Sequence, residues 1–265
     1  MCRMAGYLGA AVPLAVLLSD PPHSLTVQAY QPRMQHEGTV NVDGTGVAWW
    51  PPGDAEPLRY VTERPPWSDP NLLPLAARLC GVAQLAAVRS ATPGLPFGPD
   101  AVAPFVRYGV ALAHNGRVGG FPGRVGRALL ERLPDELLTA AGVLTDSVVL
   151  FLTALHHRRR QPGHGLASAL AGAVHEVERA CAHAGQAATL TLLACDGQRL
   201  VGIRAAAGMR SPTLFTRAGP EHAGLVAASE PLDDTPGWTE VPDRHVVELT
   251  GTGVTLTPLS QEGPR

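Results

Sequence analysis

The chain contains no lysine: all 21 of its basic residues are arginine. That removes the Schiff-base and catalytic-amine chemistry of a lysine side chain from every position. Charge is scarce, at 17% of residues with a formal net charge of −2, so the basic footprint of a nucleic-acid binder is missing. The four cysteines, Cys2, Cys80, Cys181 and Cys195, make no C-x-x-C pair and no disulfide framework. Three of them, Cys80, Cys181 and Cys195, sit in apolar stretches and read as buried core thiols. The opening MCRMAGYLG lacks the pattern of a signal peptide, and no apolar run reaches membrane-spanning length. The expectation is a cytoplasmic protein with reduced thiols and neither a membrane nor a nucleic-acid partner. His156-His157, followed by Arg158-Arg159-Arg160, read as a solvated helix end whose positive charge suits the helix dipole, not as metal ligands. Gly119-Gly120-x-x-Gly123 lacks the dinucleotide-binding spacing. No metal and no organic cofactor is expected.

What is present is a globular composition, 45% hydrophobic over 265 residues, enough for a sizeable core. Strands are expected at 2–8, 46–50, 58–61, 82–88 and 109–113. Helical spacing covers 13–18, 72–79, 125–133, 146–157 and 166–182. Strands return at 189–194, 200–204, 225–228, 245–249 and 254–257, with Asp196-Gly197 as a hairpin turn between the first two. Strands, then helices, then strands again, without regular βαβ alternation, indicate a layered α+β fold. One domain over 1–258 with a loose tail at 259–265 fits the length.

Cys2 is the residue on which the chemistry turns. Once Met1 is removed, its thiol and a free α-amine share one residue, and an α-amine titrates near pH 8, so it can serve as a base at neutral pH. Four polar clusters interrupt the apolar pattern downstream. Asn41-Val42-Asp43-Gly44-Thr45-Gly46 precedes a strand, with glycines that permit close backbone approach. Arg89-Ser90-Ala91-Thr92 closes another and offers a planar fork for a carboxylate. His114-Asn115-Gly116 supplies an amide and a backbone N–H suited to an oxyanion. Thr145-Asp146-Ser147 opens a helix, where Asp146 is either a cap or a carboxylate facing a ligand amine. Each cluster alone reads as a turn or a cap. The chain has only three asparagines, however, and two of them fall inside these clusters. Together with Cys2 they form a kit for cleaving a γ-glutamyl amide.

These motifs resemble the class II glutamine amidotransferase family of N-terminal nucleophile hydrolases. The resemblance implies a four-layer αββα sandwich. The runs Ala228-Ser229-Glu230-Pro231-Leu232-Asp233-Asp234, Trp238 to Arg244, Asp20-Pro21-Pro22 and Gln28 to Arg33 are similar to the branch of that family that acts in ergothioneine biosynthesis. Carried over, the resemblance makes Cys2 the nucleophile, and Asn115 and Gly116 the oxyanion donors. Arg89 and Thr92 hold the glutamyl α-carboxylate, Asp146 holds its α-ammonium, and Asp43, Gly44 and His114 frame the pocket. The implied partner is a small γ-glutamyl substrate, and the chain is compatible with a homodimer. The alternatives are a glutaminase feeding ammonia to a separate synthetase, an amidohydrolase of another pathway, and a non-catalytic binding relative. The sequence departs from the family pattern at Met4, Thr45 and Thr145, where His, an aromatic residue and Cys are expected. Thr45 bears on which amine leaves.

Overall fold

The computed structural model describes residues 2–35, 38, 40–92, 94–218 and 224–260. In chain order the N-terminal part forms β1 (Arg3–Pro13), α1 (Ala15–Leu18), α2 (Leu25–Tyr30), β2 (Thr45–Trp50), β3 (Leu58–Thr62), α3 (Leu72–Ala76) and β4 (Cys80–Val88). β5 (Phe105–Arg107) and β6 (Val110–Val118) follow, then helices α4 (Arg124–Leu130), α5 (Asp135–Thr139), α6 (Asp146–Arg160) and α7 (Leu166–Ala184). The last third comprises β7 (Ala188–Cys195), β8 (Leu200–Arg204), β9 (Ala206–Ala207), β10 (Phe215–Ala218), β11 (Leu225–Ala228), β12 (Thr239–Glu240), β13 (His245–Thr250) and β14 (Gly253–Pro258).

The strands make two antiparallel sheets, ordered β12-β10-β11-β1-β4-β2-β3 and β14-β13-β8-β7-β6-β5, with β9 on β7. Alternation along each strand decides what the faces meet. In β1, Met4 and Leu8 enter the core between the sheets, whereas Ala5 and Tyr7 pack outward under α1, α2 and α3. In β6, Ala111 and Ala113 face the first sheet, while Val110, Leu112 and Val118 face α4, α6 and α7. The result is helix, sheet, sheet, helix: the αββα sandwich.

Most expected elements form, with ends shifted by a few residues. β6 instead runs five residues beyond its expected end, so His114-Asn115-Gly116 lies inside it. Register with Thr189, Leu190 and Thr191 of β7 supplies backbone partners that override the turn preference of Asn-Gly. α2, α5, β5, β9, β10 and β12 have no counterpart in the sequence reading. α2 is six residues long and includes β-branched Thr26 and Val27; burial of Leu25 and Ala29, not propensity, holds it. Two expectations are corrected. Cys80 is only half-buried at the first residue of β4, unlike Cys181 and Cys195, where burial pushes the Cys195 thiol up to about 12. His157 is not a freely solvated helix end: it bonds Glu176 of α7 at 3.0 Å and packs on Gly172. Of the tail expected at 259–265, residues 261–265 lie outside the described residues, while Leu259 is buried and donates its N–H to the Arg244 carbonyl.

Candidate active site

β1 begins pairing at Arg3, opposite Val88, so Cys2 stands one residue beyond the ladder at the open end of the sandwich. It shares the strand parity of Met4. Its Sγ lies 3.8 Å from the Ser90 carbonyl, just past the end of β4. Here a pocket opens, lined by Cys2, Arg89, Ser90, Thr92, His114, Gly116, Asp146 and Ser147, with Leu95, Ala101, Ala103 and Phe105 as its apolar wall. Six of the sequence-derived residues therefore converge: Cys2, Arg89, Thr92, His114, Gly116 and Asp146.

Arg89 is 9% exposed. Its Nη2 donates to the Pro96 carbonyl at 2.9 Å, and the Phe97 ring lies 5.2 Å from its guanidinium carbon. Nη1 is buried with no partner among the described residues. A buried, uncompensated guanidinium N–H in a polar pocket is the group that an incoming carboxylate would satisfy. Across the pocket, Asp146 begins α6. Thr145 caps that helix, its hydroxyl accepting from Val148 N–H at 3.2 Å, a job that the cysteine expected there would do poorly. Asp146 is thus not the cap; its carboxylate accepts from Val118 N–H at 2.9 Å and Ser147 N–H at 2.8 Å. His114 contacts Ser147 Oγ and the Thr189 carbonyl, each at 2.9 Å. A carbonyl can only accept, so Nε2 donates to Thr189, while Nδ1 meets the Ser147 hydroxyl, which also lies 3.3 Å from Asp146 Oδ1. Both ring nitrogens are engaged, which makes His114 a wall and a buttress for Ser147.

Three expected residues do not line this pocket. Asp43 lies behind Arg89: its Oδ2 accepts from Ala91 N–H at 2.7 Å, and its own N–H donates to the Arg89 carbonyl at 3.0 Å. Gly44, at φ 136°, accepts from Arg89 N–H at 2.8 Å, and a β-carbon there would stand 2.6 Å from Val102 Cγ2. The pair holds the arginine turn from behind. Asn115 points from the opposite face of β6, on the parity of Ala111 and Ala113, toward the first sheet that carries Cys2. It is fully buried, and neither amide atom has a hydrogen-bond partner among the described residues. Met4 and Thr45 also stand outside the pocket. Met4 fills the inter-sheet core, and the buried Thr45 hydroxyl donates to the Arg64 carbonyl at 2.9 Å.

Sequence reasoning missed the apolar wall at 101–105, which lies in a proline-rich stretch with no chemical signal. Ser90 and Ser147 were adjacent to expected residues but not themselves proposed. The runs at 20–33 and 228–234 find a shared role: they clasp each other. His23 and Arg33 both pair with Asp234, at 3.0 and 3.1 Å, and Arg33 N–H donates to Glu230 at 2.7 Å. Glu230 in turn pairs with Arg3 at 2.9 Å, both fully buried.

Comparison with known proteins agrees with this geometry. No family model matches the chain. Among solved structures it is similar to a glutamine aminotransferase class-II domain protein from Silicibacter pomeroyi, with TM-score 0.72, 26% identity and 98% of this chain and 100% of that one covered. Glutamine phosphoribosylpyrophosphate amidotransferase from Bacillus subtilis shares the fold, with TM-score 0.63 at 14% identity; all of this chain covers 50% of that one. The fold is that of the class II glutamine amidotransferases.

Among curated proteins, the chain is 40% identical over 266 residues to the γ-glutamyl-hercynylcysteine sulfoxide hydrolase of Mycobacterium tuberculosis H37Rv, covering 100% of both. It is 37% identical over 259 residues to that of Mycolicibacterium smegmatis, covering 98% of this chain and 100% of the relative. The chain belongs to the γ-glutamyl-hercynylcysteine sulfoxide hydrolase family and is a hydrolase of the class II amidotransferase type.

Proposed function

We propose that the chain hydrolyses the γ-glutamyl amide bond of γ-glutamyl-hercynylcysteine sulfoxide, releasing glutamate, as a step of ergothioneine biosynthesis in the cytoplasm. The observation that carries this reading is the convergence of Cys2, the unpaired Nη1 of Arg89 and the carboxylate of Asp146 around one pocket. With Met1 removed, the α-amine of Cys2 takes the thiol proton as Sγ attacks the γ-carbonyl carbon. The Asn115 amide and the Gly116 N–H stabilise the oxyanion. The resulting ammonium protonates the departing amine as the C–N bond breaks, leaving a γ-glutamyl thioester. The amine then deprotonates a water, which attacks the thioester carbonyl; the C–S bond breaks, glutamate leaves, and the thiol recovers its proton. Arg89 and Thr92 hold the glutamyl α-carboxylate and Asp146 the α-ammonium. Asp43 and Gly44 support Arg89 from behind, and His114 supports Ser147 beside Asp146. Because Met4 and Thr45 lie outside the pocket, neither departure from the family pattern bears on the glutamyl half.

The test is release of glutamate from γ-glutamyl-hercynylcysteine sulfoxide and, separately, from glutamine, using protein whose intact mass shows loss of Met1. Turnover of the sulfoxide substrate is expected. Turnover of glutamine alone would overturn the substrate assignment, and full activity in Cys2→Ala would overturn the mechanism.

A further inference from the structure

We propose that Arg3 is a positioning residue for Cys2, gripping its carbonyl so that the thiol and the α-amine are presented together at the pocket. The proposal rests on Cys2 being the nucleophile. A residue one step beyond a strand has no ladder to hold it, and chain ends fray unless tied down. Cys2 is tied by two contacts: the long one from Sγ to the Ser90 carbonyl, and a 2.9 Å hydrogen bond from Arg3 Nε to the Cys2 carbonyl. The second is the decisive one. Thiol and amine both branch from the Cys2 α-carbon, and the peptide plane between residues 2 and 3 is rigid. With that plane fixed, ψ of Cys2 and its χ1 are the torsions left to aim both groups.

The grip is anchored away from the pocket. Arg3 Nη1 pairs with Glu230 Oε1 at 2.9 Å, Glu230 Oε2 accepts from Arg33 N–H at 2.7 Å, and Ser229 brackets Met4 through its hydroxyl at 3.0 Å and its N–H at 2.8 Å. Arg3 and Glu230 are both 0% exposed, and burial lowers the guanidinium pKa against the pull of Glu230 and Cys2. Such a pair is a poor stabilising device, since apolar residues of similar volume often do as well or better. It also leaves Arg3 Nη2 buried with no partner among the described residues. What an apolar residue cannot do is reach the carbonyl of the residue before it. Lysine, whose three donors sit on one nitrogen, cannot span the carbonyl and the carboxylate together as the separated nitrogens of a guanidinium do. Arg3 does not line the pocket, so its effect on the reaction passes through Cys2.

The test measures kcat and KM for Arg3→Lys and Glu230→Gln, the second being isosteric but unable to accept from both Arg3 and Arg33. Each is expected to lower kcat tenfold or more while KM stays within threefold, because the groups that hold the substrate are untouched. Leu17→Ala, a cavity in the outer helical layer, serves as a stability control and is expected to lower the Tm with kcat unchanged. A folded variant that keeps kcat within twofold of wild type overturns the proposal, as does a loss carried by KM. If neither variant folds, the pair is structural and the proposal fails. Cys2→Ala is assayed in parallel: if it retains turnover, the nucleophile reading itself fails, a result distinct from any outcome at Arg3.

Discussion

At the scale of single residues, two groups of the proposed site stand out because they are buried with no partner among the described residues: Nη1 of Arg89 and the amide of Asn115. An unpaired buried donor costs about 1–3 kcal/mol, which makes both costly unless a ligand completes them. Arg89→Ala is therefore expected to raise KM roughly 30-fold or more, equivalent to about 2 kcal/mol, and steady-state kinetics will show it. For Asn115 the expectation is a trade. Asn115→Leu removes an unsatisfied amide from an apolar inter-sheet face, so its Tm should hold or rise, while kcat falls about 100-fold with the oxyanion donor lost. A fall in both would mean that the amide is structural. Asn115 was legible because asparagine is rare in the sequence, and Arg89 because it stands in a polar cluster that closes an apolar strand. The support given by Asp43 to the turn after Arg89 was not legible, since it depends on a hydrogen bond between segments 48 residues apart.

At the scale of elements, β6 and α6 set the site. A β-carbon at Gly116 would collide with the Thr189 carbonyl of β7 and with the His114 ring. Gly116→Ala should thus cost about 1–3 kcal/mol and reduce activity, as the β6–β7 ladder shifts to make room. Thr145→Ala removes the cap of the helix that carries Asp146 and should cost about 1 kcal/mol in urea melts, with a rise in KM as the first turn loosens. Long periodic elements such as α6 and α7 were readable from the sequence. β6 was cut short there, because Asn-Gly speaks for a turn and only the partner strand overrules it. α2 and α5 were invisible, being too short to carry a period.

At the scale of the whole molecule, several carboxylates tie separate segments together. Burial alone would raise Asp69, Glu176 and Asp233, yet each lies below its usual range. The Asn71 N–H and the Tyr60 hydroxyl hold Asp69 down, His157 and Arg132 hold Glu176, and Trp238, Thr235 and Arg217 hold Asp233. A carboxylate with a depressed folded-state pKa stabilises fully above its unfolded pKa and loses that contribution as pH falls through the folded value. Stability toward urea should therefore hold from neutral pH to about pH 5 and decline below about pH 4. The layered architecture was legible through the motifs that define the family. Strand order was not, because it depends on which distant segments meet.

That order has a consequence for how the protein is made. β1 is an interior strand, bounded by β4 on one side and by β11, residues 225–228, on the other. β1 therefore gains its second neighbour only after some 220 further residues have been made. At about 5–20 residues per second, that leaves β1 without this neighbour for roughly ten to forty seconds. Removal of Met1, which the proposed mechanism requires, fits within that interval, before the sheet closes around the strand next to Cys2.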